Sequence, residues 1–463
     1  MRLYLIWKSS ISFFNQLFLL IIICCCSSIS AQPKVAGYYP DWLKTVLPPN
    51  KIEFENVDYL IHAFAWPNSD GTISMYDGLL NPQLNQAVHD ANKKILISFG
   101  GWGQSDGFAP MSADSSIRTK FINNVVNFLI NNKYDGIDLD WESPSDQQQR
   151  TQFTLLVKEL RQKFNTINTP LLITMAAPAG SWGGQWIEYE KIENYIDWFA
   201  IMAYDFYGSW SSVSGPNAPL YQSPDDKDNA GSASTAVQYL NITRKVPKNK
   251  ILLGIPFYGK EFNSSGMYKT FTGDVPEEKY SDIVSIVSAG GWNYIWDDVS
   301  KIPYYQNSDS TKLITFDDTV SIRYKVGFSL NQSLAGVMVW ALGQDITNGR
   351  QPLLETIGNT IRELTSVQSA ENLPGGFQLY NNYPNPFNPS TNLEVRISDI
   401  GFVTLKVYDM LGRELVTLIN EEKHAGTYKI KFNAGQYNLS SGVYFYTLTS
   451  NGKRQTKEMI FLK

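Results

Sequence analysis

Eight short runs of β-branched, aromatic and small apolar residues recur between Gln32 and Leu364, with stretches of helical apolar spacing between them. They are VAGYYP from Val35, YLIHAFAW from Tyr59, KKILISFGG from Lys93, GIDLDWE from Gly136, LLITMAAP from Leu171, WFAIMAYD from Trp198, ILLGIPFYG from Ile251 and AGVMVWAL from Ala335. Parallel strands can be joined only by a crossover, usually a helix. IRTKFINNVVNFLINNK, Ile117 to Lys133, has the spacing of one. Eight such units predict an α/β fold, a (β/α)8 TIM barrel over 32–365. The path from the seventh to the eighth run is too long for a simple crossover and leaves room for a small α+β insertion at about 260–312. SVQSAENLPGG then reads as a linker over 366–376. Runs such as FVTLKVYDM and GVYFYTLTS, alternating with turns, predict an all-β sandwich over 377–463.

The aromatic share is 13%, with 26 Tyr, 24 Phe and 12 Trp, enough to furnish stacking surfaces as well as core. A net charge of −5 supplies no basic footprint, so nucleic acid is not an expected partner. Residues 1–31 carry Arg2 and Lys8, then the apolar run LFLLIIICCC, then small residues ending SSISAQ, the pattern of a signal peptide cut near Ala31. The run is too short to cross a bilayer, so no membrane span is expected in the mature chain. All three cysteines, Cys24 to Cys26, lie in that segment, which leaves the mature chain without disulfides or a cysteine-based metal site.

YDGIDLDWES, Tyr134 to Ser143, sets acids inside what otherwise reads as a buried strand. Strand side chains alternate, so Asp138, Asp140 and Glu142 share one face and Ile137, Leu139 and Trp141 the other. In a barrel the apolar set packs under the helices, and the acidic set climbs inside by roughly 7 Å per pair toward the C-terminal mouth. Stacked carboxylates in a poorly solvated interior cannot all ionise, so protons are shared and at least one pKa rises. A solvated edge strand is the competing reading, but its outer positions would not be a clean Ile, Leu, Trp set; a calcium site is the other. Asp135 has the opposite parity and reads as structural. His62 reads as a core histidine, His89 and His424 as surface, and no His pair has metal spacing. No cofactor or metal is implied.

DGIDLDWE has the D-x-x-D-x-D-x-E form of glycoside hydrolase family 18, the chitinase family, which the chain resembles from about Val35 to Leu364. SFGGW (Ser98 to Trp102), MAYD (Met202 to Asp205), GYYPDW, GIPFYG and GVMVWALGQD are similar to the family's third, sixth, first, seventh and eighth strands. The resemblance implies that Glu142 donates the proton, that Asp140 orients the substrate's 2-acetamido group, and that Asp138 shares a proton with Asp140. It also implies that Tyr204 hydrogen-bonds the acetamido oxygen and that Asp205 meets the sugar beside the cleaved bond. Trp340 is the implied floor of the site, and Tyr38 and Tyr258 are its walls. Phe64, Trp102 and Met202 complete the substrate contacts, while Trp182, Trp210 and Trp296 are candidate outlying platforms. The implied activity is a retaining, substrate-assisted chitinase on chitin or chito-oligosaccharides. An endo-β-N-acetylglucosaminidase on N-glycans and a non-catalytic lectin on the same barrel are the alternatives.

YNNYPNPFNPSTNLEVRI, VYDMLGRELVTL and SGVYFYTLTSNGKRQTKEMIFLK resemble the C-terminal sorting domain of proteins exported by the type IX secretion system. That resemblance implies the type IX machinery as a partner and a location outside the cell or on its outer surface. A carbohydrate-binding sandwich would need exposed coplanar aromatics, and Tyr444 and Tyr446, which share a face, read equally as core.

Overall fold

Runs that are apolar at every position can be satisfied only where both faces of a strand are covered, and the eight runs of the first unit are used in that way. The computed structural model describes residues 32–371, 377–397, 401–424, 426–437, 439–450 and 453–463. The expected signal peptide lies outside them. The barrel strands are Lys34–Pro40, Tyr59–Pro67, Lys94–Gly100, Gly136–Asp140, Leu172–Ala177, Trp198–Ile201, Ile251–Pro256 and Gly336–Trp340, each starting within one residue of its sequence run. All neighbours pair parallel, and pairing of the first strand with both the second and the eighth closes the ring. A short strand, Ile73–Met75, hangs antiparallel on the second. The helix read from Ile117 runs Ser115–Asn132. Asp114 caps its start, accepting from the backbone N–H groups of Ser116 and Ile117, and Lys133 ends it in the left-handed conformation.

Six barrel strands stop short of their sequence runs, the third and fifth by one residue, the fourth and eighth by two, the seventh by three and the sixth by four, so Trp141 and Glu142 lie just past the end of the fourth strand. The sixth ends at Ile201, so Met202 to Asp205 lie in the segment beyond it rather than on the strand. Asp205 has φ +59°, a left-handed conformation that no strand can continue. The seventh ends at Pro256, and Tyr258 opens the insertion instead.

That insertion is a six-stranded sheet built on Tyr258–Ser264 and closed by Leu313–Thr315, slightly wider than the expected 260–312. Helix Tyr280–Ser288 packs on it through Ile283, against Ile314 and Phe316. The last helix, Pro352–Glu371, continues into the segment read as linker from Ser366, because SVQSAE contains no breaker before Pro374.

The second unit is all-β. A three-stranded sheet holds Gln378–Leu379, Ser390–Ile397 and Gly426–Asn433, and a four-stranded sheet holds Glu414–Lys423, Gly401–Tyr408, Gly442–Ser450 and Lys453–Phe461. Both sheets feed one core, which contains Leu393, Val395, Phe432, Val403, Leu405 and Met459. Tyr444 and Tyr446 are part of that core rather than a sugar platform.

Candidate active site

The fourth strand, Gly136–Asp140, and the two residues just past it divide their side chains as the pleat demands. Ile137, Leu139 and Trp141 are buried under the helices. Trp141 stacks on Phe108 of helix Phe108–Ala113 at 5.2 Å and meets Phe153 of helix Gln147–Phe164 edge-on at 5.7 Å. Asp138 and Asp140, also buried, face the other way.

Asp138 lies in a layer set by register, with Ser98 beside it on the third strand and Thr174 beside it on the fifth. Its Oδ2 accepts from the hydroxyls of Tyr38 and Ser98, both at 2.8 Å, and its Oδ1 accepts from Thr174 at 2.6 Å. Burial pushes the Asp138 carboxyl up, and the Thr174, Tyr38 and Ser98 hydroxyls pull it back. Ser98 opens the SFGGW run, which placed the third strand without giving the serine a role, and Thr174 belongs to no quoted motif beyond its strand. The signal available was a hydroxyl residue inside an otherwise apolar buried run.

Asp140 is held from its backbone. Its carbonyl accepts from the N–H of Gly101 at 2.8 Å and from Ser105 Oγ at 3.3 Å, while Ser105 Oγ also accepts from the N–H of Glu142 at 3.1 Å. Gly100, opposite Asp140 in the register, has φ +112°, and a Cβ there would stand 2.1 Å from the Asp140 carbonyl oxygen, so only glycine lets the strands meet. The Oδ1 of Asp140 is buried with no hydrogen-bond partner from the protein. Burial, then the charges of Glu142 and Asp138, push its pKa well above the carboxylate range. Glu142, at the top of the row and partly exposed, is pushed up to about 7 by burial and by the charge of Asp205.

Around the row stand the aromatic residues. Tyr38 meets Trp340 edge-on at 5.3 Å, and Phe64 stacks on Trp340 at 5.8 Å. Burial and the neighbouring acids hold the phenols of Tyr38, Tyr204 and Tyr258 far above 10, so each remains a hydrogen-bond donor. Tyr204 and Tyr258 pack edge-on at 6.1 Å, and Tyr258 donates to Asp205 Oδ1 at 2.7 Å. Met202 packs against the inner barrel cluster that contains Tyr38, Phe64 and Met338. The structure thus brings Tyr38, Phe64, Asp138, Asp140, Glu142, Met202, Tyr204, Asp205, Tyr258 and Trp340 into one linked set.

Trp102 is 84% exposed, Trp182 65% and Trp210 64%, and Trp210 reaches the set through Lys260, whose ammonium lies over its ring and pairs with Asp205. Trp42, the last residue of GYYPDW and given no role by the sequence, is also exposed and leans on Phe64 at 6.3 Å. Trp296 packs on Tyr324 of helix Thr319–Asn331 and donates to Asp298. Asp135 is structural: it accepts from the N–H of Ile95 and pairs with His89, which is therefore engaged rather than a bare surface residue. His62 is buried against Tyr134.

A family model described as "Glycosyl hydrolases family 18" matches residues 34–345, and one described as "Secretion system C-terminal sorting domain" matches residues 381–462. Chitinase A1 of Niallia circulans is 30% identical over 330 residues, which cover 63% of this chain and 47% of that protein, so the chain spans about half its relative's length. The structure of Ostrinia furnacalis Group IV chitinase in complex with allosamidin is similar, with TM-score 0.67 at 27% identity, covering 72% of this chain and 99% of that one. Human YKL-39, described as a pseudo-chitinase with retained chitooligosaccharide binding, gives TM-score 0.65 at 26% identity over 71% of this chain and 99% of its own.

Proposed function

The chain belongs to glycosyl hydrolases family 18 and carries a secretion-system C-terminal sorting domain, and from that premise we propose that it is an exported, retaining chitinase acting on β-1,4-linked N-acetylglucosamine. The observation that carries the reading is the graded row: Asp138 saturated by three hydroxyls, Asp140 raised and without a protein partner at Oδ1, and Glu142 poised near 7 at the open end. A general acid works best with a pKa near the working pH.

In this reading the substrate's own acetamido oxygen attacks the anomeric carbon while Glu142 gives its proton to the glycosidic oxygen, and the bond between them breaks. Asp140 holds the acetamido N–H and balances the oxazolinium charge. Asp138, fixed by its hydroxyls, keeps Asp140 in place and tunes it. Tyr204 donates to the acetamido oxygen, because a phenol held neutral is always a donor. Water then attacks the anomeric carbon and gives a proton to Glu142 while the bond from that carbon to the acetamido oxygen breaks, and the two displacements leave the configuration retained. The sugar rests on Trp340, between Tyr38, Phe64 and Met202, with Asp205 and Tyr258 beside the cleaved bond; Trp102, Trp182 and Trp210 offer stacking faces further along.

The barrel alone does not separate an enzyme from a binder of the YKL-39 kind; a Glu142 that keeps its proton to near neutrality favours hydrolysis. The sorting tail favours export through the type IX system, to the medium or the outer cell surface. Among the described residues no helix is long and apolar enough to cross a membrane. The test is chitohexaose hydrolysis followed by NMR of the first products. β-Anomers support the reading; α-anomers, or release of N-glycans from glycoprotein with chitohexaose untouched, would overturn it.

A further inference from the structure

Lys260 stands on the first insertion strand, Tyr258–Ser264, with its side chain 3% exposed. Its ammonium lies 2.9 Å from Asp205 Oδ1 and 2.9 Å from Glu277 Oε1, and 5.1 Å over the ring of Trp210. Glu277 is its cross-strand partner, directly opposite in the pairing with strand Glu277–Lys279. A buried ammonium is tolerated only when paired, and here two carboxylates pair it. Burial draws the Lys260 pKa down, and Asp205 and Glu277 more than offset this, so the charge is secure.

Asp205 is fixed from the same side. Its N–H donates to Asn217 Oδ1 at 3.2 Å, and Asn217 is anchored in turn on the Tyr258 carbonyl and Thr315 Oγ1. Tyr258, Lys260 and Thr315 all belong to the insertion sheet. We infer that Lys260 is a positioning residue for the reaction, the strut through which the insertion, anchored at Glu277, holds Asp205 beside the acid Glu142. This rests on the function proposed above and assigns the insertion an electrostatic task as well as a wall.

The groups acting on Glu142 are Asp140 from its own strand, and Asp205 and Tyr204 from beyond the sixth. Asp205 is faced by Tyr258 and Lys260, and Lys260 by Glu277. Lys260 therefore offsets the Asp205 charge that raises Glu142, and Glu277 draws part of that offset away. Removing the cation raises the proton affinity of Glu142; removing the Glu277 charge lowers it.

The experiment is the pH profile of kcat/KM on a fluorogenic chito-oligosaccharide, with the full chain. Lys260→Met is expected to lower kcat/KM and to move the alkaline limb up by roughly 0.5 to 1 pH unit. Lys260→Arg returns the limb toward the parent's position, and Glu277→Gln, at a side chain 58% exposed, moves it down. A folded Lys260→Met, judged by an unchanged Tm, whose limb stays at the parent's value would overturn the inference and leave Lys260 a packing residue. If Lys260→Met does not fold, Glu277→Gln decides, and an unmoved limb overturns it equally. A parent that cleaves no chito-oligosaccharide would instead sink the functional reading beneath it.

Discussion

The acid at the head of the row has a thermodynamic signature that needs no substrate. Glu142 has a folded pKa of about 7 against an ordinary 4.5, so the folded barrel holds its proton more tightly than the unfolded chain does. That stability is fully present below about pH 4.5 and is lost as the pH climbs through 7. The gap between the two values, at about 1.4 kcal/mol per unit, comes to about 3 kcal/mol. Glu142→Gln keeps the shape and cannot ionise, so it should escape this loss. Asp138 and Asp140 slope the parent and the variant alike, apart from the share of the Asp140 shift that Glu142 causes, which acts in the same direction. The measurement is urea unfolding of both proteins at several pH values between 4.5 and 8. No tryptophan follows Trp340, so indole fluorescence follows the first unit alone. The stability of the Gln variant relative to the parent should grow by about 3 kcal/mol across that range. A difference that stays constant with pH would refute the raised pKa, and the reasoning from burial with it.

Other perturbations separate the two faces of the strand and the roles of the ring. Asp138→Ala strands the hydroxyls of Tyr38, Ser98 and Thr174 in the interior and should cost about 3 kcal/mol or more in urea unfolding; a loss below about 1 kcal/mol would contradict the clamp. Trp141→Ala empties a site packed between Phe108 and Phe153 and should cost about 4 kcal/mol, with KM for chitohexaose unchanged in the folded fraction. Trp340→Ala should raise KM about tenfold through the lost stacking face and, because the ring also packs on Tyr38 and Phe64, lower the urea midpoint as well; an unchanged KM would contradict its place in the site. Hydrolysis by the parent should fall on the alkaline side with a midpoint near 7, set by Glu142, since Tyr38 and Tyr204 remain protonated far beyond it.

Where burial covers both faces of a strand, the run is legible as composition, and all eight barrel strands were. The acid row was legible for a related reason: a period of 2 sends every second residue of GIDLDWE to the same face, and the apolar partners show which face is which. The partners of those acids were not legible. Ser98 and Thr174 reach Asp138 through inter-strand register, which no single run encodes. Lys260 and Glu277 look like ordinary surface charges in GKEF and PEEK until the insertion folds them against Asp205. Strand ends were overread at Asp205 and Tyr258 because apolar character continues after the backbone has turned. The helix through Glu371 was underread because a polar sequence free of breakers offers no period to see.

The central claim is that the glutamate heading the carboxylate row is the proton donor. Its most direct test pairs turnover and binding in Glu142→Gln: chitohexaose cleavage should fall by about 10²-fold or more, while calorimetry shows chito-oligosaccharide affinity close to the parent's. Turnover equal to the parent's would contradict the account.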